Sequence, residues 1–131
     1  MSKGVSDRTL QRYWRKAVLL IHGNRCIICG KKKEDSGLES HHLVKRRKRV
    51  LKHDAKNGVP VCVGECHQVA HTRKGERLIA DRLGAAQLEY LEERESWLIK
   101  DYRFSLSHSK EEHEEWELAR LKEVIAKYQE D

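Results

Sequence analysis

Histidine and cysteine residues are concentrated in one short part of the 131-residue sequence. Residues 40–71, "SHHLVKRRKRVLKHDAKNGVPVCVGECHQVAH", contain five of its eight histidines and two of its four cysteines. Imidazole nitrogens and thiolates are the ligands that zinc and other transition metals prefer in proteins. The spacing of these side chains therefore decides whether they form metal sites.

The four cysteines form two close pairs, "CIIC" and "CVGEC", which are Cys26 with Cys29 and Cys62 with Cys66. Two such pairs supply the four thiolates of a tetrahedral zinc site. The sequence has no apolar run of the roughly 20 residues that cross a bilayer, and its N-terminal residues do not resemble a secretory signal. We therefore expect a cytoplasmic protein whose cysteines stay reduced and bind a structural Zn²⁺, rather than a redox dithiol or four unconnected thiols.

The histidines have spacings that suit a second metal ion. His67 and His71 are four residues apart and share one face of a helix, whereas the neighbours His41 and His42 point to opposite faces of a strand. A metal held by His41, His67 and His71 would keep coordination positions open, and His42 would remain available as a general base. The alternative is that a histidine is structural or merely exposed, which is how we interpret His22, His53, His108 and His113.

Hydrophobic periodicity predicts the elements that carry these residues. An amphipathic helix is predicted over 6–22, short strands in "SHHLV" and "GVPVCV", a helix that begins at "ECHQ" and closes near Gly75, and long helices over 76–102 and 110–130. The prediction is an α+β protein with an N-terminal helix (1–25), a compact core (26–75) and a helical C-terminal extension (76–131). The extension could fold back on the core or pair with a second copy, so a monomer and a homodimer both remain open.

Charge is divided unevenly along the chain. Residues 1–75 carry 18 Lys and Arg against 6 Asp and Glu, whereas residues 76–131 carry 9 against 15, and the whole chain has a net charge of +6. A polyanion would be attracted to the first part and repelled by most of the second. The alternative is a basic protein without a polyanionic partner.

Taken together, His41-His42, Asn57, His67 and His71, framed by the two cysteine pairs, resemble the HNH endonucleases with the ββα-metal (His-Me finger) fold. The resemblance covers about residues 23–75 and is closest to the small zinc-stabilised members from phages and bacteria. One departure is the second cysteine pair, which has three intervening residues where two are usual. Another is His71, which many relatives lack and which suggests three imidazole ligands.

The resemblance implies a metal-dependent DNA endonuclease that nicks one strand per active site and leaves a 5′-phosphate and a 3′-hydroxyl. It implies that His42 activates water, that Asn57 holds the hairpin and the orientation of His42, and that His41, His67 and His71 bind one catalytic divalent cation. Mg²⁺ is the expected ion, with Mn²⁺, Ni²⁺ or Zn²⁺ as alternatives. Glu39, on the same strand face as His41, could orient an imidazole.

The expected partner is double-stranded DNA, with no role for a membrane. Basic residues of the loop between the strands and after the last ligand would contact phosphates; these are Lys45, Arg46, Arg47, Lys48, Arg49, Lys52, Lys56 and Arg73. The basic side chains of the N-terminal helix are further candidates. Two other functions stay open: a zinc-stabilised DNA-binding module, and a modification-dependent restriction component.

Overall fold

The computed structural model describes residues 5–43, 51–100 and 110–129. In these ranges helices surround one two-stranded antiparallel sheet. The α+β class is confirmed at this level. No helix among the described residues is both long enough and apolar enough to cross a membrane.

Helix α1 (Asp7–Ile21) lies close to the predicted limits of 6–22, which confirms that prediction. Its N-terminus is capped because the Thr9 N–H donates to Ser6 Oγ at 3.1 Å, as expected for serine at this position. It ends where Gly23 and Asn24 take left-handed backbone conformations, with φ of 64° and 56°. The buried face of α1 carries Trp14 into the core.

The sheet pairs β1 (Leu38–His41) with β2 (Val59–Cys62), so that Leu38 lies opposite Cys62 and His41 opposite Val59. Both strands were predicted, but β1 begins two residues before "SHHLV" and His42 follows its end. The earlier start buries Leu38 in one cluster with Leu19 of α1. The other face of β2 packs, through Val59 and Val61, against the helices that follow.

The prediction of a helix closing near Gly75 is wrong. Helix α2 (Glu65–Ala70) ends at Ala70, with His71 as its C-cap. Helix α3 (Arg73–Leu83) begins after Thr72, whose Oγ1 accepts the Gly75 N–H at 3.0 Å. Gly75 is therefore inside the first turn of α3. A Cβ at Gly75 would come within 1.9 Å of the Val69 carbonyl oxygen, so the glycine permits close packing of two helices instead of ending one.

The single helix predicted over 76–102 is also wrong. Gly84, with a φ of 82°, separates α3 from α4 (Ala85–Lys100). Helix α5 (Lys110–Gln129) agrees with the prediction for 110–130. It folds back on α1, where Leu121 joins the cluster of Leu10 and Trp14.

Candidate active site

Three histidine side chains from separate positions converge beside the sheet. His41 stands at the end of β1, His67 lies in α2, and His71 follows the last residue of α2 with helical backbone angles. One ring nitrogen of each lies within 4.8 Å of one ring nitrogen of the other two. The ring centroids of His67 and His71 are 4.9 Å apart, as expected for helical neighbours four residues apart.

Glu39 is adjacent to this cluster of three histidines. Its carboxylate accepts a hydrogen bond from His67 Nδ1. A ring nitrogen engaged in this way fixes the tautomer, so Nε2 becomes the nitrogen with a lone pair for a ligand. The structure therefore places Glu39 against the His67 imidazole, and its role in orienting a metal ligand stays a prediction.

The electrostatics of the cluster suit a cation. Burial, together with the neighbouring His71 and His67 rings, lowers the pKa of His41 to about 4. His41 is therefore neutral at physiological pH, and a neutral imidazole is the form that binds metal. Three converging imidazoles are a donor set that fits a divalent transition metal better than Mg²⁺, which prefers oxygen ligands.

His42, the residue after β1, has neighbours different from those of the three clustered histidines. Its ring stacks on the Trp14 indole with centroids 4.0 Å apart and an angle of 11° between the planes. Its Nε2 is 2.9 Å from the Lys52 carbonyl oxygen. Since a carbonyl only accepts, Nε2 carries the proton and the lone pair of the neutral ring is on Nδ1. Trp14 was missed in the sequence, where it reads only as one residue of an amphipathic stripe.

Asn57 is completely buried. It is the last residue of the 51–57 segment, which contacts His42 through the Lys52 carbonyl oxygen. Its Nδ2 donates to the Leu51 carbonyl oxygen at 2.9 Å, one residue before the carbonyl that accepts from His42. The Asn57 N–H also donates to the Asp54 carbonyl oxygen at 2.9 Å. Asn57 therefore fixes the 51–57 segment, and this segment carries the carbonyl oxygen that binds His42.

All of these histidines border one open cavity of about 750 Å³. Its wall also includes Arg15, one of the basic side chains of the N-terminal helix. The other residues of the wall have no functional role predicted from the sequence, and they are Gln11, Trp14, Ser40, Leu43, Glu76, Ile79, Ala80 and Leu88. A cavity of this size accommodates a nucleotide-sized group. No spacing pattern links the α1 and α3 residues to the histidines, because the packing of the helices alone brings them to one cavity.

The four cysteines form a second, separate cluster. Their sulfur atoms all lie within 4.8 Å of one another. Burial opposes ionisation of Cys26, but hydrogen bonds from the backbone N–H groups of Cys29 and Cys62 lower its pKa to about 7. Burial raises the pKa of Cys66 to about 12, and Cys26 adds to this effect. Four thiolates at this separation need a cation among them, so the donor set fits Zn²⁺.

Residues 26–73 match the family model described as HNH endonuclease. This segment is an HNH endonuclease domain. Neither the curated proteins nor the solved structures that were searched include a match to the chain. The HNH domain contains both clusters and Asn57, while α1 and most of the helical extension lie outside the matched residues.

The residues of the HNH domain that were predicted to contact DNA differ from one another in their surroundings. Lys45, Arg46, Arg47, Lys48 and Arg49 lie outside the described residues. Lys52 forms an ion pair with Asp7, and Lys56 Nζ is 4.4 Å from the centre of the Tyr90 ring. Arg73 is exposed at the start of α3. In α1, Arg15 donates to the carbonyl oxygens of Asp35 and Leu38, which reduces its availability for phosphate.

Two of the histidines interpreted as structural or exposed are buried. His53 and His113 are both within 4.0 Å of the Glu117 carboxylate, on helix α5. His22, at the end of α1, has a pKa that is lowered by burial. None of these three borders the cavity of the HNH domain. His108 lies outside the described residues.

Proposed function

We propose that this chain is a metal-dependent DNA endonuclease that hydrolyses phosphodiester bonds through a ββα-metal site. The observation that carries the proposal is the convergence of His41, His67 and His71 at a cavity whose wall also includes His42. This is the arrangement that a hydrolase needs, because the cation site and the base must face the same phosphate.

The three imidazoles would hold one divalent cation, with Mg²⁺ as the expected ion and Mn²⁺, Ni²⁺ or Zn²⁺ as alternatives. When bound, the cation supplies electrostatic stabilisation of the charge that develops on the phosphate and the leaving oxygen. Glu39 would orient His67 by accepting its Nδ1–H. Zn²⁺ at Cys26, Cys29, Cys62 and Cys66 would be structural, because four thiolates leave no open coordination position.

His42 would act as the general base. With its Nε2–H held by the Lys52 carbonyl oxygen, the ring would accept a proton from water at Nδ1. Stacking on Trp14 restricts rotation of the ring. Asn57 would maintain this arrangement by holding the Leu51 carbonyl oxygen. In-line attack by the water would then leave a 5′-phosphate and a 3′-hydroxyl.

The proposed substrate is double-stranded DNA. The described residues contain one three-histidine site, so one chain would nick one strand, and a double-strand break would need a homodimer or two successive events. The basic residues from Lys45 to Arg49, with Lys52, Lys56 and Arg73, would contact phosphates on either side of the cut. Because phosphate contacts carry no sequence information, they support binding without defining a recognition sequence.

The test is cleavage of supercoiled plasmid by the 131-residue chain in Mg²⁺ or Mn²⁺. We expect nicked circles, and we expect His42→Ala to reduce the rate by roughly 10²–10⁴-fold, which is the usual contribution of a general base. His22→Gln is the matched control, since His22 does not border the cavity. Equal activity of His42→Ala and wild type would contradict the assignment of the base.

The other candidate functions predict different results in the same assay. A DNA-binding module would shift the plasmid on a gel without cutting it in any divalent cation. A modification-dependent restriction component would cut only plasmid that carries methylated or otherwise modified bases. Plasmids prepared with and without methylation therefore separate the three functions.

A further inference from the structure

The segment 51–57, which carries the carbonyl that binds His42, is held by side chains from outside the HNH domain. Asp54 is the centre of these contacts. Its side chain is only 10% exposed, and its Oδ1 accepts the Lys56 N–H at 2.9 Å within the segment. Its Oδ2 accepts a hydrogen bond from the Tyr90 hydroxyl of α4 at 3.2 Å. A buried carboxylate needs such donors to remain in place.

Helix α4 makes two further contacts with the same segment. Gln87 Nε2 donates to the Lys56 carbonyl oxygen at 2.8 Å, and Arg94 Nε is 3.8 Å from Asp54 Oδ2. Leu91, on the same helix, packs on Leu51 in a small cluster of buried residues. Helix α4 therefore contacts the segment at its beginning, at its centre and near its end.

Asp54 connects these contacts to the two groups that hold His42. Its carbonyl oxygen accepts the Trp14 Nε1–H at 2.9 Å, and the Trp14 ring stacks on His42. Two residues earlier, the Lys52 carbonyl oxygen binds His42 Nε2. A displacement of Asp54 would therefore affect both the plane of the His42 ring and its hydrogen bond.

We infer that Tyr90 is a positioning residue for His42, acting through Asp54 and the 51–57 segment. The inference rests on the proposed function, and it gives the helical extension a role in the reaction beyond packing or dimerisation. The Glu117 carboxylate of α5 lies 4.0 Å from His53 Nδ1 of the same segment.

The test is Tyr90→Phe, which removes one hydroxyl and retains the ring. We expect kcat for plasmid nicking to fall about tenfold, since small displacements of catalytic groups have large effects on rate. KM for plasmid should change less than twofold, and the zinc content should stay at the wild-type value. Tyr13→Phe is the matched control: Tyr13 is a partly buried tyrosine of α1 that packs near α5.

The double variant Tyr90→Phe/His42→Ala distinguishes positioning from general loss of structure. If Tyr90 acts through His42, Tyr90→Phe should have no further effect once the imidazole is absent. An equal loss of rate in both backgrounds would overturn the inference, as would wild-type kcat in Tyr90→Phe alone.

A readout that does not depend on activity is the nuclear magnetic resonance signal of the His42 Nε2–H. The hydrogen bond to Lys52 should protect this proton in wild type and in Tyr13→Phe, and Tyr90→Phe should broaden or shift it. An unchanged signal in Tyr90→Phe would overturn the inference even if the residual rate of His42→Ala is too low to measure. A wild-type protein that cuts no plasmid refutes the proposed function, and the His42 signal then still tests the positioning.

Discussion

At the scale of single residues, the two histidines of the "HH" pair differ through their surroundings. His41 faces two further imidazoles, and burial with these neighbours lowers its pKa to about 4. His42 instead contacts an indole and a backbone carbonyl. His41 is the last residue of β1 and His42 follows it, yet the two neighbouring rings contact different groups. Identical side chains are thereby suited to two different roles, ligand and base.

Glu39→Gln tests the orientation of the metal ligands. An amide is a weaker acceptor for His67 Nδ1–H than a carboxylate, so we expect Mn²⁺ affinity at the histidine cluster to fall roughly 10–100-fold. Electron paramagnetic resonance of bound Mn²⁺ would measure this affinity. Glu34→Gln, at an exposed carboxylate outside the cavity, should bind as wild type does. Equal affinities in both variants would exclude a role for Glu39.

The buried histidines also predict how stability depends on pH. Burial lowers the pKa of both His22 and His41, so the folded pKa lies below the unfolded value of 6.5. As the pH falls below 6.5 the unfolded chain binds protons first, and the free energy of unfolding should decrease. Urea titrations between pH 7 and 5.5, without added divalent cation, would measure the decrease. His22→Gln and His41→Gln should each make the decrease in the free energy of unfolding smaller. A pH dependence that is unchanged in both variants would contradict its origin in these two histidines.

At the scale of elements, the sheet and helix α2 bring the three clustered histidines together. Close backbone packing holds the junction between helices α2 and α3. The α2–α3 junction follows His71 directly, and Gly75 lies against the Val69 carbonyl there. Gly58 plays a similar part at the start of β2, since a Cβ would lie 2.6 Å from Trp14 Cζ2. Glycine is therefore required at both positions because a neighbouring atom leaves no room for a Cβ, and not because the chain turns there.

Gly75→Ala should destabilise the protein by about 1–3 kcal/mol or more, because the added methyl group meets a backbone oxygen that cannot move freely. Thermal or urea unfolding would measure the change. Gly37→Ala is the control, since its Cβ would meet Lys33 Cδ at 3.4 Å and a flexible side chain can adjust. Equal stability of the two variants would show that the α2–α3 junction tolerates the methyl group.

At the scale of the whole molecule, the cysteine cluster and the histidine cluster lie on the two faces of one small sheet. The cysteine cluster packs with Leu19 and Leu38 on the α1 side, whereas His41 shares the opposite face with Val59 and helix α2. With 38% apolar residues the chain has a limited core, and small cores often depend on a metal for stability. With the metals proposed for the two clusters, loss of the metal at the cysteines should therefore affect folding, and loss of the metal at the histidines should affect activity.

Cys66→Ser should release zinc and unfold the HNH domain, because metal binding contributes directly to folding. His67→Ala should retain one zinc per chain and its far-ultraviolet circular dichroism, and should lose Mn²⁺ binding and nicking. Zinc analysis by mass spectrometry and circular dichroism would measure both. Loss of zinc in His67→Ala, or full structure in Cys66→Ser without zinc, would contradict the separation of the two sites.

The sequence by itself determined the ligand types and the local elements that carry them. Helix α1 follows from its apolar period, and the proximity of His67 to His71 follows from a spacing of four residues, because both depend on local helical geometry. The two cysteine pairs are likewise local. The end of helix α2 and the break at Gly84 were misjudged. Gly75, for example, looks the same in sequence whether it stops a helix or permits close packing.

Only the tertiary structure decided what surrounds His42. Trp14 stacks on it from 28 residues earlier in the numbering, and Tyr90 supports Asp54 from 36 residues further along the chain. Contacts of this kind depend on how helices α1, α4 and α5 fold back over one loop, and no periodicity or motif encodes that arrangement. The chemistry of the site can thus be derived from residue types, whereas its support arises from long-range packing.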